Sequence, residues 1–92
     1  MTQSKPNAIL LALSDNVVTV TAAVSSCDPV VFSRDGQMTE IIAAEIIPVF
    51  HKAAICNIPK GSPVIKYGEI IGKATMDIRT GAHVHTHNLS DE

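Results

Sequence analysis

An all-β domain of several short strands is the fold class this sequence predicts, on three observations. Runs of β-branched residues such as Val17-Val18-Thr19-Val20-Thr21 recur along the chain, and such side chains fit a pleated sheet better than a helix. Turn-forming clusters separate these runs at a spacing of roughly 8–12 residues, the rhythm of a small β module. No long stretch of helical periodicity interrupts them.

Taken in order, Ala8 to Leu13 form a short apolar run that stops at Ser14-Asp15-Asn16, a turn cluster. With Val17 to Thr21 this run reads as a hairpin. Asp28-Pro29 breaks the next segment, because a residue before proline avoids the helical region. Val30-Val31-Phe32 is a further strand, closed by Arg34-Asp35-Gly36, whose Asp-Gly pair is a hairpin signal. Met38 to Ile47 is ambiguous. Ile42 and Ile46 lie four apart and Thr39 is a candidate N-cap, yet Ile42 stands where a capping box wants Glu or Gln. Two short strands, with Glu40 and Glu45 outward and Pro48 as the stop, are preferred to a helix.

His51 to Ile58 is again strand-like and ends in the turn Pro59-Lys60-Gly61. Tyr67-Gly68-Glu69 turns the chain, and Ile70 to Ala74 returns as a strand. An internal echo links Ile58-x-x-Gly61-x-x-Val64 to Ile78-x-x-Gly81-x-x-Val84. In both copies an apolar anchor precedes a turn whose Gly accepts positive φ, and an apolar residue re-enters the core. The whole chain is expected to hold about seven or eight strands.

Ninety-two residues make one domain, expected over residues 8–92 behind a disordered tail of residues 1–7. The chain is 46% hydrophobic but only 3% aromatic, so its core must be built from Ile, Val, Leu and Ala. That aliphatic excess leaves apolar surface to spare in a small body, and a partner is expected to cover part of it. A net charge of −2 without basic clusters argues against nucleic-acid binding. No stretch approaches the ~20 apolar residues of a membrane helix, and the polar start is no signal peptide. A cytoplasmic location is expected. Cys27 and Cys56 are the only cysteines and neither belongs to a Cys-x-x-Cys pair, so both read as partly buried free thiols.

Three of the four histidines alternate at the C-terminal end, in Gly81-Ala82-His83-Val84-His85-Thr86-His87-Asn88. On a strand they would share one face, with neighbours about 6.6–7 Å apart at Cα and the outer pair about 13 Å apart. Two imidazoles at the shorter distance can converge on one ion. The outer pair cannot unless the strand bends. His85 and His87 are the first choice for a metal or substrate site, with His83 not expected to complete a three-histidine set and further ligands drawn from elsewhere or from another chain. A solvated edge strand is the alternative.

Quoted in order, Asp15-Asn16-Val17, Phe50-His51-Lys52-Ala53-Ala54, Gly61-x-Pro63-Val64-Ile65-Lys66-Tyr67-Gly68-Glu69-x-Ile71-Gly72-x-Ala74 and Gly81-x-x-Val84-His85-Thr86-His87-Asn88 make a specific combination. It resembles the altronate/galactarate dehydratase family, in particular its N-terminal SAF-type domain with a β-clip fold. It is also similar to the sulfolactate sulfo-lyase small subunit. The match runs from about Asp15 to Asn88, most of the chain. One departure is visible: the family generally has Gly before the His-Lys pair, where this chain has Phe50.

The resemblance implies metal-dependent lyase chemistry, removing water from a sugar acid or sulfite from sulfolactate, beside a larger catalytic subunit or domain. A divalent ion, iron(II) or manganese, is implied with it. Within that frame His51 is the candidate for proton transfer, and Lys52, Lys66 and Tyr67 for binding the substrate's carboxylate. A solvated strand face is the alternative for the lysines. No nucleophile constellation and no phosphate loop is present. A part of a composite site, able to form homo-oligomers, is thus the leading expectation; a stand-alone carbohydrate- or carboxylate-binding or interaction module without catalysis is the second.

Overall fold

Two strands whose side chains alternate between two cores set the architecture. The computed structural model describes residues 5–90. Among them lie β1 (Ala8–Ile9), β2 (Val17–Val20), β3 (Pro29–Arg34), β4 (Gln37–Ile42), β5 (Lys52–Ala54), β6 (Pro63–Lys66), β7 (Glu69–Ala74), β8 (His83–Val84) and β9 (Leu89–Ser90), with no helix. β1, β2, β5 and β8 pair in that order in one sheet, β3 with β4 in a second, and β6, β7 and β9 in a third. Every pairing is antiparallel. The expected all-β class is what forms.

On β2, Val18 and Val20 join Val24, Val30, Phe32, Ile47 and Ala53 in one cluster, while Val17 joins Ala54, Ile58, Val64, Ile78 and Val84 in the other. The period of two along β2 and β5 sends neighbouring residues to opposite faces, so these strands form the wall between the cores. Nearly all of that interior is aliphatic. Phe32 is buried, whereas Phe50 and Tyr67 are 72% and 62% exposed. A fully buried Ile or Phe gains about 1.5–3 kcal/mol over an exposed one. Phe32 and Ile47 in the first cluster and Ile58 in the second, the largest fully buried side chains, are therefore where truncation would cost most.

The ambiguous window resolves toward strands. Gln37 to Ile42 pairs in register with β3, and Ile47 forms an isolated bridge with Val24. Glu40 and Glu45 are exposed, as expected. The Asp35-Gly36 turn has positive φ at both residues (51° and 82°), and so does Tyr67-Gly68 (61° and 73°); this matches the twist of the strands each pair joins. Asp15 is buried, and its carboxylate accepts from the amides of Ala12, Tyr67 and Gly68. It therefore ties the first turn to the β6–β7 turn, a wider role than a contact within the first hairpin. Cys27 and Cys56 are free and exposed, not partly buried.

The internal echo turns out to have four copies. Val24–Val30, Ile47–Ala53, Ile58–Val64 and Ile78–Val84 each begin and end on a buried apolar residue. Each has positive φ at its fourth position, at Cys27 (74°), Phe50 (68°), Gly61 (87°) and Gly81 (87°). Their first residues pair in twos, Val24 with Ile47 and Ile58 with Ile78. In every copy the fifth residue donates its amide to the carbonyl of the second residue of the unit (Asp28 to Ser25, His51 to Pro48, Ser62 to Pro59, Ala82 to Arg79). Gly marked only two of the four in the sequence.

A second repeated device uses asparagine. The side chains of Asn7, Asn16 and Asn88 each donate to one carbonyl and accept from the amide two residues further on: Pro29 and Val31, Pro63 and Ile65, His83 and His85. The backbone amide of each then donates to the carbonyl of that second residue. An asparagine that bonds in this way behaves as a short extra strand, satisfying groups the sheet edge would leave orphaned. Residues 1–4 of the expected tail lie outside the described residues. Asn7, which that boundary placed in the tail, is held by this clasp. No helix among the described residues is long and apolar enough to cross a membrane.

Candidate functional site

Register brings three histidines together at the seam between β5 and β8. Lys52 pairs with Val84 and Ala53 with His83, so His51, just before β5, comes opposite the chain leaving β8. β8 stops at Val84, and residues 85–88 turn. Because the strand bends there, the straight-strand spacing does not apply. His51 Nδ1 lies 2.8 Å from His83 Nε2, in hydrogen-bond contact. The His51 ring stacks on His85 with centroids 4.2 Å apart and lies 5.0 Å from His83. One ligand nitrogen from each of His51, His83 and His85 falls within 4.8 Å of the others.

His87, expected to pair with His85, lies instead against His83, its ring tilted with centroids 5.3 Å apart, and is exposed. The geometry thus gathers His85 with His51 and His83, and leaves His87 outside the group. His83 escaped the sequence reading because alternate spacing allows His83 with His85 as readily as His85 with His87, and only the place of His51 across the β5–β8 seam decides between them. The available signal was Asn88, a turn-forming residue immediately after the histidine row.

Partial burial, with His51, His87 and His85 beside it, lowers His83 below the ordinary histidine value of 6.5, and Glu45 opposes the shift. His85 is lowered in the same direction by desolvation, then by His51, Lys52 and His87. Both imidazoles therefore favour the neutral form, the one that binds metals. Two nitrogens on a tetrahedral ion with bonds of about 2.0–2.1 Å stand about 3.3 Å apart, close to the 2.8 Å between His51 and His83. Three imidazole nitrogens within 4.8 Å of one another could hold a transition-metal ion once the rings turn toward it. Glu45 is near, but its Oε2 accepts from the backbone amide of His83 at 3.1 Å.

Lys52 lines a cleft of about 390 Å³ with His85, Thr86, Leu89 and Ser90. Burial, then the charge of Lys66, lowers its pKa from 10.5. Lys66 sits with its Nζ 4.9 Å from the centre of the Tyr67 ring, a cation–π contact. Lys52 is thus at the histidine cluster and Lys66 close enough to act on it electrostatically. Tyr67 stands at the tip of the β6–β7 turn and does not line that cleft.

What the fold and this site define is a small β module with an open imidazole cluster flanked by a half-buried lysine. Over residues 6–92 the chain matches the family model for the altronate/galactarate dehydratase SAF domain, and it belongs to that family. It is 43% identical over 58 residues to the (2R)-sulfolactate sulfo-lyase subunit alpha of Paracoccus pantotrophus, covering 63% of this chain and 87% of that one. A second protein of that name, from Chromohalobacter salexigens, is 44% identical over 45 residues, 49% of this chain and 48% of that one. The altronate dehydratase of Escherichia coli K12 is 58% identical over 38 residues, 41% of this chain but 8% of that much longer protein.

Proposed function

We propose that this chain is the SAF component of a metal-dependent lyase acting on a hydroxy acid, working beside a larger catalytic subunit or domain. The observation that supports this most is the convergence of His51, His83 and His85 within 4.8 Å, next to Lys52. The relatives add the setting, since one is named as a subunit of a sulfo-lyase and another is a dehydratase of which the matched part is a small fraction. A sugar acid and a sulfolactate-type acid are the two candidate substrates. Both carry a carboxylate that a lysine ammonium can anchor.

A bound divalent ion would supply Lewis-acid stabilisation of the enediolate that forms when the proton beside the carboxylate is removed. Iron(II) is the better fit of the two expected ions, because imidazoles suit it while manganese prefers oxygen donors. His51, His83 and His85 are the residues to hold it. His51 then serves as a ligand rather than the free proton acceptor, since its Nδ1 already faces His83. Lys52 anchors the substrate's anionic end, with Lys66 raising the local positive potential. The base is assigned to the larger partner, since Glu45, the carboxylate that acts on His83 among the described residues, has one oxygen committed to the His83 amide.

Anaerobic titration of the purified chain with iron(II) tests this. One ion per chain is expected, with affinity lowered at least about 10-fold in His51→Ala and in His85→Ala but little changed in His87→Ala. Equal loss in His87→Ala, or no binding at all, would overturn the metal assignment. Hydroxy-acid turnover by this chain without any larger subunit would overturn the composite site.

A further inference from the structure

We infer that Asn88 is the positioning residue of the histidine cluster, an inference that rests on the metal-site reading above. Asn88 is only 3% exposed. Its Nδ2 donates to the His83 carbonyl at 2.8 Å and its Oδ1 accepts from the His85 amide at 2.9 Å. Its own amide donates to the His85 carbonyl at 3.2 Å, and its carbonyl accepts from Thr75 at 3.0 Å. The donor faces a carbonyl and the acceptor faces an N–H, so only one orientation of the side-chain amide satisfies both.

The two residues clasped are the ones whose rings meet His51. β8 ends at Val84, so beyond that point no ladder partner fixes the backbone that aims His85. Asn88 takes over the role of a neighbouring strand there, and it closes the turn that lets His85 stack on His51. Supporting groups of this kind are what fix the direction of a ligand side chain.

Asn7 and Asn16 make the same four-bonded clasp on Pro29–Val31 and Pro63–Ile65. That supplies a matched control. Removing the Asn16 side chain deletes the same number of hydrogen bonds from a clasp that holds no histidine. Asn16 is less buried than Asn88, so each loss of metal affinity is read against the loss of folding stability in the same variant. A merely structural role makes the two scale together, whereas positioning lowers affinity in the Asn88 variants beyond what their stability accounts for. Asn88→Asp is the sharpest change: a carboxylate still accepts from the His85 amide but cannot donate to the His83 carbonyl, and sets oxygen against oxygen in a buried place.

The experiment is titration of the full chain with cobalt(II), whose visible absorption reports ligand geometry, together with ¹⁵N shifts of the imidazoles in the metal-free protein. Asn88→Asp and Asn88→Ala are expected to lower cobalt affinity about 10–100-fold and alter the absorption bands, with Asn16→Ala within about two-fold of the parent. Folding is checked by amide spectra, and Asn88→Ser, which keeps a short polar group, replaces any Asn88 variant that does not fold. Folded Asn88 variants with unchanged affinity would overturn the inference, and so would equal loss in Asn16→Ala. If the parent binds no cobalt, the metal reading fails and the ¹⁵N shifts decide: His51 and His83 signals moved by Asn88→Asp but not by Asn16→Ala sustain the positioning role, and unmoved signals end it.

Discussion

The turns that present His51 and His83 are copies of one seven-residue unit, yet they meet its demand for positive φ differently. The unit Ile78–Val84 has Gly81 at the position, at φ 87°, whereas Ile47–Ala53 has Phe50 at φ 68°. A Cβ on Gly81 would run into the backbone of Ile42 and Ala44, so that site needs glycine for space as well as for conformation. At position 50 the side chain points outward and is 72% exposed, so only conformation is at stake. A bulky residue in the left-handed region costs roughly 1–2 kcal/mol. Positive φ at both positions therefore conceals unequal tolerance: one turn is fixed by packing and the other carries strain that its surroundings sustain.

Gly81→Ala should be the most damaging change, since it adds steric conflict with a neighbouring backbone to the cost of φ. A loss of about 3 kcal/mol or more is expected in denaturant unfolding, with displacement of His83 two residues on. Stability within about 1 kcal/mol of the parent would show that the Ile42–Ala44 segment yields freely. Gly61→Ala isolates the other half of the comparison, because Gly61 has the same φ of 87° but nothing within 4 Å of an added Cβ. Its expected cost is only about 1 kcal/mol, from conformation alone. Should Gly61→Ala match Gly81→Ala, the distinction between the two kinds of turn disappears. Phe50→Gly should go the other way, raising stability by up to about 1 kcal/mol as the strain is relieved. A decrease would mean that the Phe50 ring packs usefully in solution.

The smallest effect concerns pH. His83 and His85 are lowered from 6.5, so between the lowered values and 6.5 the unfolded chain binds more protons than the folded one. Stability then rises with pH through that window, is full above 6.5 and is lost as the pH falls below it. The partly exposed setting of both rings keeps the effect modest. Melting curves between about pH 5 and pH 8 should show a shallow drop on the acid side. In His83→Ala the drop should shrink; an unchanged drop assigns it to other groups.

The β class and most turns were legible because their signals are local. Asp35-Gly36 announces a hairpin through the residues that must take positive φ, and Val17 to Val20 announces a strand through branching at Cβ. Pro48 and the missing capping box were enough to turn the 38–47 window away from a helix. Glycine-based reading, by contrast, passed over two of the four repeated turns, because Cys27 and Phe50 occupy the same backbone state without the usual marker. At the site, the histidine row and the His51-Lys52 pair were both visible, but their union was not. It depends on the β5–β8 register, which no spacing rule gives, and on the bend after Val84. Lys52, read from the sequence as a partner of His51 in substrate binding, also shares a cleft with His85, which the sequence did not indicate. Tyr67, a binding candidate within the frame of the family resemblance, lies at a turn tip and does not line the cleft that holds Lys52 and His85.

The 32 positions that separate His51 from His83 have a consequence for how the molecule assembles. His83 and His85 come from one short segment, but His51 meets them only after the loop between has closed. Closing such a loop carries an entropic cost that grows slowly with its length. Any ligand that bridges these imidazoles therefore binds the folded chain in preference to the unfolded one, and stabilises the contact between two distant segments. Occupancy of the cluster and integrity of the β5–β8 seam are thus a single equilibrium, and resistance to unfolding reports on both.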